Sequence, residues 1–231
     1  MPMKAVAVCI HLLTASGVLV GFLALLASFD RMWSLAFVWL AVAAIIDGLD
    51  GPLARYFKVK THLPRFSGER LDLIIDYFTY VIVPALMIYG SGRMPEGLQM
   101  VATIIVLMTS LFHFSDEESK TEDGFFVGFP AIWNVVAFYL FVFPVPPVLG
   151  FAAIVFLGAL TFVPLKWVHP IRVQRWRPLT IAMLTLWSAA SALAIWQGFP
   201  ASPAVQVVIG VCSLYLLACG LARSFGNTQE G

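Results

Sequence analysis

"DGLDGPLARYFKVKTHLPRFSGERLDLIID", residues 47–76, carries four aspartates and five lysines and arginines, and each end merges into a long apolar run. Outside this stretch the chain is oily. Of its 231 residues 60% are hydrophobic and 12% charged, where an ordinary soluble domain has about a quarter charged, and the mean hydropathy is +0.89. The apolar runs last about 15 to 25 residues, enough to cross a hydrocarbon layer of about 30 Å at about 1.5 Å per residue. A water-soluble globule is excluded, and no nucleic-acid partner is expected.

Eight runs can be read: 5–29, 32–49, 71–90, 98–115, 125–143, 148–165, 178–198 and 203–222. The first is long enough to span and lacks the short apolar core of a cleaved signal, so it is read as a retained helix. With the N-terminus inside, only Arg31 and Arg93 of the 14 lysines and arginines fall on outer segments. The positive-inside rule then places both termini and the stretch 47–76 on the cytoplasmic side. The expected fold is all-α: a polytopic helical bundle of about eight transmembrane helices, one domain over residues 1–231. Cys9, Cys212 and Cys219 all lie inside apolar runs and form no C-x-x-C pair, which argues against disulfides or zinc.

The outer turns at 91–97, 144–147 and 198–203 are short and rich in Gly and Pro. Chemistry is expected on the longer inner segments 50–70, 116–124 and 166–177. The last of these, "KWVHPIRVQRWR", sets Trp167 and Trp176 among Lys166, Arg172, Arg175 and Arg177. It reads either as a topology signal with an aromatic belt or as a contact for lipid phosphate, for which bidentate arginines are well suited.

On a helix, Asp47 and Asp50 lie about 60° apart, with Gly51 and Ala54 near the same side. Gly68, Asp72 and Asp76 follow i, i+4, i+8 spacing and form a second stripe on the next helix. The two stripes sit at the inner ends of consecutive antiparallel spans and can face one another. Four carboxylates in one small volume repel unless cations neutralise them. An oxygen-only set without Cys or His favours Mg²⁺, Mn²⁺ or Ca²⁺, and two such ions suit displacement at phosphorus. The competing readings are an interfacial salt-bridge network with Arg55, Lys58, Arg65 and Arg70, and the ion site of a divalent-cation transporter. Transporter sites, however, usually lie near the bilayer midplane within repeated halves, and no repeat is visible.

Asp47, Asp50, Gly51, Ala54, Arg55, Gly68, Asp72 and Asp76 fill every fixed position of D-x-x-D-G-x-x-A-R, spacer, G-x-x-x-D-x-x-x-D. The stretch therefore resembles the CDP-alcohol phosphotransferases, with a spacer at 56–67 longer than is usual there. That spacer, with "KTEDGFFVGFPAIWNVVAFYLF" at 120–141 and "FVPLKWVHP" at 162–170, is similar to the phosphatidylcholine-forming bacterial branch of the family. The resemblance implies a six-helix family core and transfer of a phosphatidyl group from CDP-diacylglycerol to choline with release of CMP. It further implies Mn²⁺ or Mg²⁺ as cofactor, two ions in all, and a bacterial inner-membrane location with a possible homodimer.

Carried onto this sequence, the family pattern makes Asp47, Asp50 and Asp72 metal ligands, with Asp76 completing the site and acting as general base. Gly51, Ala54, Arg55 and Gly68 are expected to line the CDP cleft. "HLLTASG" at 11–17 resembles the family's N-x-x-T stretch near cytidine, with His11 in place of Asn. It nominates Thr14 and Ser16 as nucleotide contacts, against the alternative that both bond within their helix bundle. Choline, a quaternary ammonium, calls for aromatic faces and perhaps an acid. The nominees are Tyr77, Tyr80, Phe125, Phe126, Phe129 and Trp133, with Glu122, Asp123 and Asn134, each set against an ordinary core, loop or cap role. Lys166, Arg172, Arg175 and Arg177 are the candidates for the lipid phosphates. Serine, inositol and a glycerol phosphate remain alternative acceptors.

Overall fold

The first two apolar runs fold into a helical hairpin. In the computed structural model, which describes residues 3–117, 126–163, 166–167 and 177–226, α1 is Met3–Phe29 and α2 is Trp33–Tyr56. The turn between them closes by a left-handed residue, Arg31 at φ 57°. The N–H of Arg31 bonds Ser28 O at 3.1 Å and that of Met32 bonds Ala27 O at 2.8 Å, which satisfies the last carbonyls of α1. The spacer follows α2 and folds into one short turn, α3, Val59–His62. Val59 is buried against Ala7 and Ile10 of α1, with Leu53, Ala54 and Phe57 packed around them. The longer spacer is thus an apolar peg under the first helix.

The third span, Gly68–Gly90, has three parts: α4, Gly68–Asp76; a π-helical segment, Tyr77–Ile82; and α5, Val83–Gly90. Ser67 starts it by accepting the backbone N–H of Arg70 at 3.3 Å. The widened segment sits where Pro84 demands it. In α geometry the ring of Pro84 presses on the carbonyl of Tyr80 and supplies no N–H to it. An i→i+5 turn relieves both problems.

The remaining helices are α6, Gln99–Ser115; α7, Trp133–Val142; α8, Pro147–Leu160; α9, Arg177–Gln197; and α10, Pro203–Gly226. Every one of the eight expected runs therefore carries an apolar helix. Met3–Phe29, Trp33–Tyr56, Gly68–Gly90 and Arg177–Gln197 are long enough to cross a bilayer by length and composition, and the apolar stretches Gln99–Ser115, Trp133–Val142, Pro147–Leu160 and Pro203–Cys219 are shorter. The protein is a multi-pass helical membrane protein.

The largest departure from expectation is the fifth run, 125–143, among whose described residues only Trp133–Val142 is helical. Ahead of it, β1, Phe126–Val127, pairs antiparallel with β2, Lys166–Trp167, a two-residue ladder in a fold expected to be wholly helical. The breaks are local. Gly128 stands at φ 75°, where a Cβ would also meet Thr161 O at 2.3 Å. Pro130 bars its predecessor from helical geometry, and Ala131 lies at φ 53°. The sixth run, 148–165, is helical only to Leu160, because the chain turns there to accept Phe129 N–H on Leu160 O at 3.2 Å.

The main core draws on α1, α2, the third span and α6 to α10. Trp133, Phe141, Met87, Ile88 and Ile154 are fully buried in it. Near α2's first turns, Trp33, Phe37, Phe138, Phe141 and Phe199 interlock edge to face at centroid distances of 5.1 to 5.6 Å, each pair contributing about 0.5–1.5 kcal/mol beyond its burial. The last hairpin, α9–α10, is tied to α7 by polar contacts. Trp187 Nε1 donates to Tyr139 Oη at 3.0 Å, Tyr139 Oη meets Ser213 Oγ at 2.5 Å, and Gln206 Nε2 donates to Val142 O at 3.1 Å.

Candidate active site

The two carboxylate stripes meet because α1 lets the third span come close. Gly17 and Gly21 form a G-x-x-x-G pair on the buried side of α1, the small-residue spacing that allows helix backbones to approach in a membrane. A Cβ on Gly17 would lie 2.8 Å from Ile75 Cγ2, and one on Gly21 would lie 2.8 Å from Thr79 Cγ2 and Phe78 Cδ1. With no side chain there, Ile75 and Thr79 seat against α1, and Asp72 and Asp76 are brought across from the end of α2.

The result is a small cavity between three helices. α1 contributes Thr14 and Gly17; α2 contributes Ala43, Ile46, Asp47 and Asp50; the third span contributes Asp72, Ile75, Asp76 and Thr79. Asp47, Asp50 and Asp72 each offer a carboxylate oxygen, and the three atoms lie within 4.8 Å of one another. Asp50 is buried at 5% exposure, and the Thr14 hydroxyl lies against its carboxylate. Asp76 lines the same cavity one turn beyond Asp72, outside the three-oxygen group.

Electrostatics makes this arrangement costly by itself. At about 4.8 Å and an effective dielectric of about 20, two unit charges repel by roughly 3–4 kcal/mol, and the cluster holds three such pairs. Among the described residues the cavity wall carries no lysine or arginine. Arg55 is exposed, with its Nη1 3.3 Å from where a Gly51 Cβ would stand, so it covers Gly51 on the outside. A cation held among the three carboxylates offsets the repulsion directly. The donor set fits a hard divalent ion: oxygen only, from facing helices, without Cys or His.

The other predicted residues divide into those near the cluster and those away from it. Tyr80 comes in: its hydroxyl donates to Asp47 Oδ2 at 2.6 Å. Gly68 begins α4 with His11 against it, since a Cβ there would meet His11 Cε1 at 3.2 Å. Ala54 packs with the Val59 peg instead of flooring the carboxylates. Ser16 donates to Leu13 O at 2.6 Å and Thr14 to Ile10 O at 3.3 Å, each within its own helix, although Thr14 also lines the cavity.

Tyr77 turns to α6, where its hydroxyl donates to Leu107 O at 3.1 Å and its ring stands edge-on to Phe114. Trp133 is fully buried, packs on Phe129 and donates Nε1–H to Ser110 Oγ at 2.7 Å, so neither ring face is open. Asn134, in the first turn of α7, accepts the N–H of its neighbour Val135 at 2.9 Å. Glu122, Asp123, Phe125, Arg172 and Arg175 lie outside the described residues, as do the side chains of Phe126 and Lys166, and Arg177 is exposed at the start of α9. Sequence reading missed the cavity residues Gly17, Ala43, Ile46, Ile75 and Thr79. The G-x-x-x-G spacing of Gly17 and Gly21 was the available signal for the first.

Residues 6–165 match the family described as CDP-alcohol phosphatidyltransferase. That region contains all four aspartates and all three helices of the cavity. The chain belongs to the CDP-alcohol phosphatidyltransferase family. Relatives of the family member described here extend the likeness beyond residue 165. It is 42% identical to the phosphatidylcholine synthase of Mesorhizobium japonicum, covering 97% of this chain and 89% of the relative. It is also 42% identical to that of Pseudomonas aeruginosa, covering 96% and 93%, and 40% identical to that of Brucella melitensis biotype 1, covering 94% and 79%. This phosphatidyltransferase is therefore an enzyme, and membership decides against the cation-transporter reading. The family depends on divalent metal in general, in keeping with the three-aspartate cluster.

Proposed function

We infer that this phosphatidyltransferase is a phosphatidylcholine synthase, which transfers the phosphatidyl group of CDP-diacylglycerol to choline and releases CMP. The observation that carries this reading is about 40% identity to proteins of that name over nearly the whole chain, combined with the carboxylate cluster at the family's motif.

Asp47, Asp50 and Asp72 would hold Mn²⁺ or Mg²⁺, with Asp76 beside them, and such an ion would supply charge stabilisation for the transfer at phosphorus. Asp76 orients the choline hydroxyl and takes its proton as the oxygen bonds to the lipid-linked phosphorus. The phosphorus–oxygen bond to the CMP phosphate breaks, and CMP leaves with that electron pair. Gly51 and Gly68, in the two motif helices, are the nucleotide positions of this reading, with the Arg55 and His11 side chains over them. The close α1 contact at Gly17 and Gly21 keeps the reacting end dry. The basic segment 166–177 is the candidate contact for the lipid phosphates, and a site facing the cytoplasm at the inner membrane is in keeping with the distribution of Lys and Arg.

The test is CMP release by the purified protein with CDP-diacylglycerol, Mn²⁺ and each of choline, serine, inositol and glycerol phosphate. Choline alone should support turnover and yield phosphatidylcholine; incorporation of another alcohol in its place rejects the reading. Chelation by EDTA should abolish release, and added Mn²⁺ should restore it.

A further inference from the structure

We propose that Tyr80 is a positioning residue of the carboxylate cluster. Held on the aspartate face by the π-helical segment ahead of Pro84, its hydroxyl anchors one oxygen of Asp47 and thereby sets the other toward the metal. This deepens the metal-assisted reading above and rests on it.

The geometry begins with helix phase. Along a regular α-helix, positions i, i+4 and i+8 drift steadily around the axis, so a side chain four residues beyond Asp76 rotates away from the stripe that Asp72 and Asp76 form. The segment Tyr77–Ile82 is π-helical, and its i→i+5 spacing slows that rotation and keeps Tyr80 on the side that faces Asp47 of α2. There its hydroxyl donates to Asp47 Oδ2 at 2.6 Å across the α2 interface, a short charge-assisted bond. Its neighbours go elsewhere: Tyr77 to Leu107 O and Thr79 to Ile75 O at 3.0 Å. One wide turn therefore sends two tyrosines three residues apart to different helices.

The bond has a consequence for Asp47. Asp50 is fixed by burial, and Asp72 stands on the stripe of α4. Asp47 is only half-buried, and its Oδ2 is the oxygen that Tyr80 takes. With that oxygen engaged the carboxylate is held in one orientation, and Asp47 offers an oxygen to the three-aspartate group. Outer partners of this kind tune ligands strongly, and their removal typically costs about 10–100-fold in metal affinity or activity.

The experiment compares wild type with Tyr80→Phe, which deletes only the hydroxyl. Mn²⁺ affinity is measured without substrates, by electron paramagnetic resonance of free ion over protein in nanodiscs. Tyr80→Phe should weaken Mn²⁺ binding about tenfold and raise the Mn²⁺ concentration for half-maximal CMP release to match, leaving KM for choline within about twofold. In an Asp47→Asn background the same substitution should add no further loss of Mn²⁺ affinity. If Tyr80→Phe does not fold, Pro84→Ala carries the test: without the ring the segment can return to α geometry, turn Tyr80 off Asp47 and weaken Mn²⁺ in the same direction. Unchanged Mn²⁺ affinity overturns the proposal, whether a raised KM for choline then marks Tyr80 as a substrate contact or a lowered melting temperature marks it as packing. A wild-type protein that binds Mn²⁺ but releases no CMP with choline rejects the acceptor assignment, while the ratio of Mn²⁺ affinities still decides the role of Tyr80.

Discussion

The carboxylate cavity and the aromatic core around Phe37 and Phe141 lie along the same helix, α2, and are built by opposite means. The core is filled with large rings, edge to face and almost without exposure, and its polar atoms are few and matched, as in the bond from Trp133 to Ser110. The cavity is built by omission: two glycines on α1, Ala43 on α2 and a turn loosened before Pro84. Its apolar support is slight: Ala43, Ile46 and Ile75 in its own wall and the small cluster of Ala7, Ile10 and Val59 beside α1. Packing stabilises one end; at the other, room is left for charges that cost free energy until a cation and substrate arrive.

This division can be broken most severely at Asp76. Asp76→Asn should lower the rate of CMP release by about 10²–10⁴-fold, the range for losing a general base, and leave Mn²⁺ binding and melting temperature near wild type. Rate and stability falling together would show that Asp76 supports the fold. Gly21→Leu should cause the next largest effect and blur the two regions. Its side chain enters the space of Phe78 and Thr79, so overpacking of about 1–3 kcal/mol should lower the melting temperature and separate Asp72 from Asp50, weakening Mn²⁺ binding in parallel. Trp133→Phe removes one buried hydrogen bond worth about 1 kcal/mol; thermal stability should drop by a few degrees while CMP release per folded molecule stays at wild-type level. The smallest effect belongs to Arg93, whose guanidinium lies 4.8 Å from the centroid of Phe141 at the outer end. Arg93→Met should cost about 0.5–1 kcal/mol, with Mn²⁺ affinity and KM for choline unaltered.

Much of this contrast is legible in the residues. The eight apolar runs carry the eight apolar helices because satisfied backbone in lipid leaves an oily chain few other options. The pair Asp47 and Asp50 and the stripe Gly68, Asp72 and Asp76 follow from helical spacing alone. The fifth run misleads because hydrophobicity does not report backbone angles. Phe126 to Ile132 are as apolar as the helix that follows them, yet Gly128, Pro130 and Ala131 end regular geometry, and the contact with Leu160 that holds this path comes from a distant helix. Tyr80 was nominated for its ring, and its hydroxyl is what the fold uses. Trp133 was nominated for the same reason, and its ring is spent on the core.

By itself the sequence determined that the chain crosses a membrane several times, which aspartates share a helix face, and which family's motif they fill, because each depends on composition or on spacing within one helix. Tertiary structure decided the rest. That Gly17 opens the path for Ile75, that three rather than four carboxylate oxygens fall within 4.8 Å, and that Tyr80 reaches Asp47 all depend on the distance and phase between helices. Those are set by contacts among residues far apart in the chain and, at Tyr80, by a single widened turn that helical periodicity cannot anticipate.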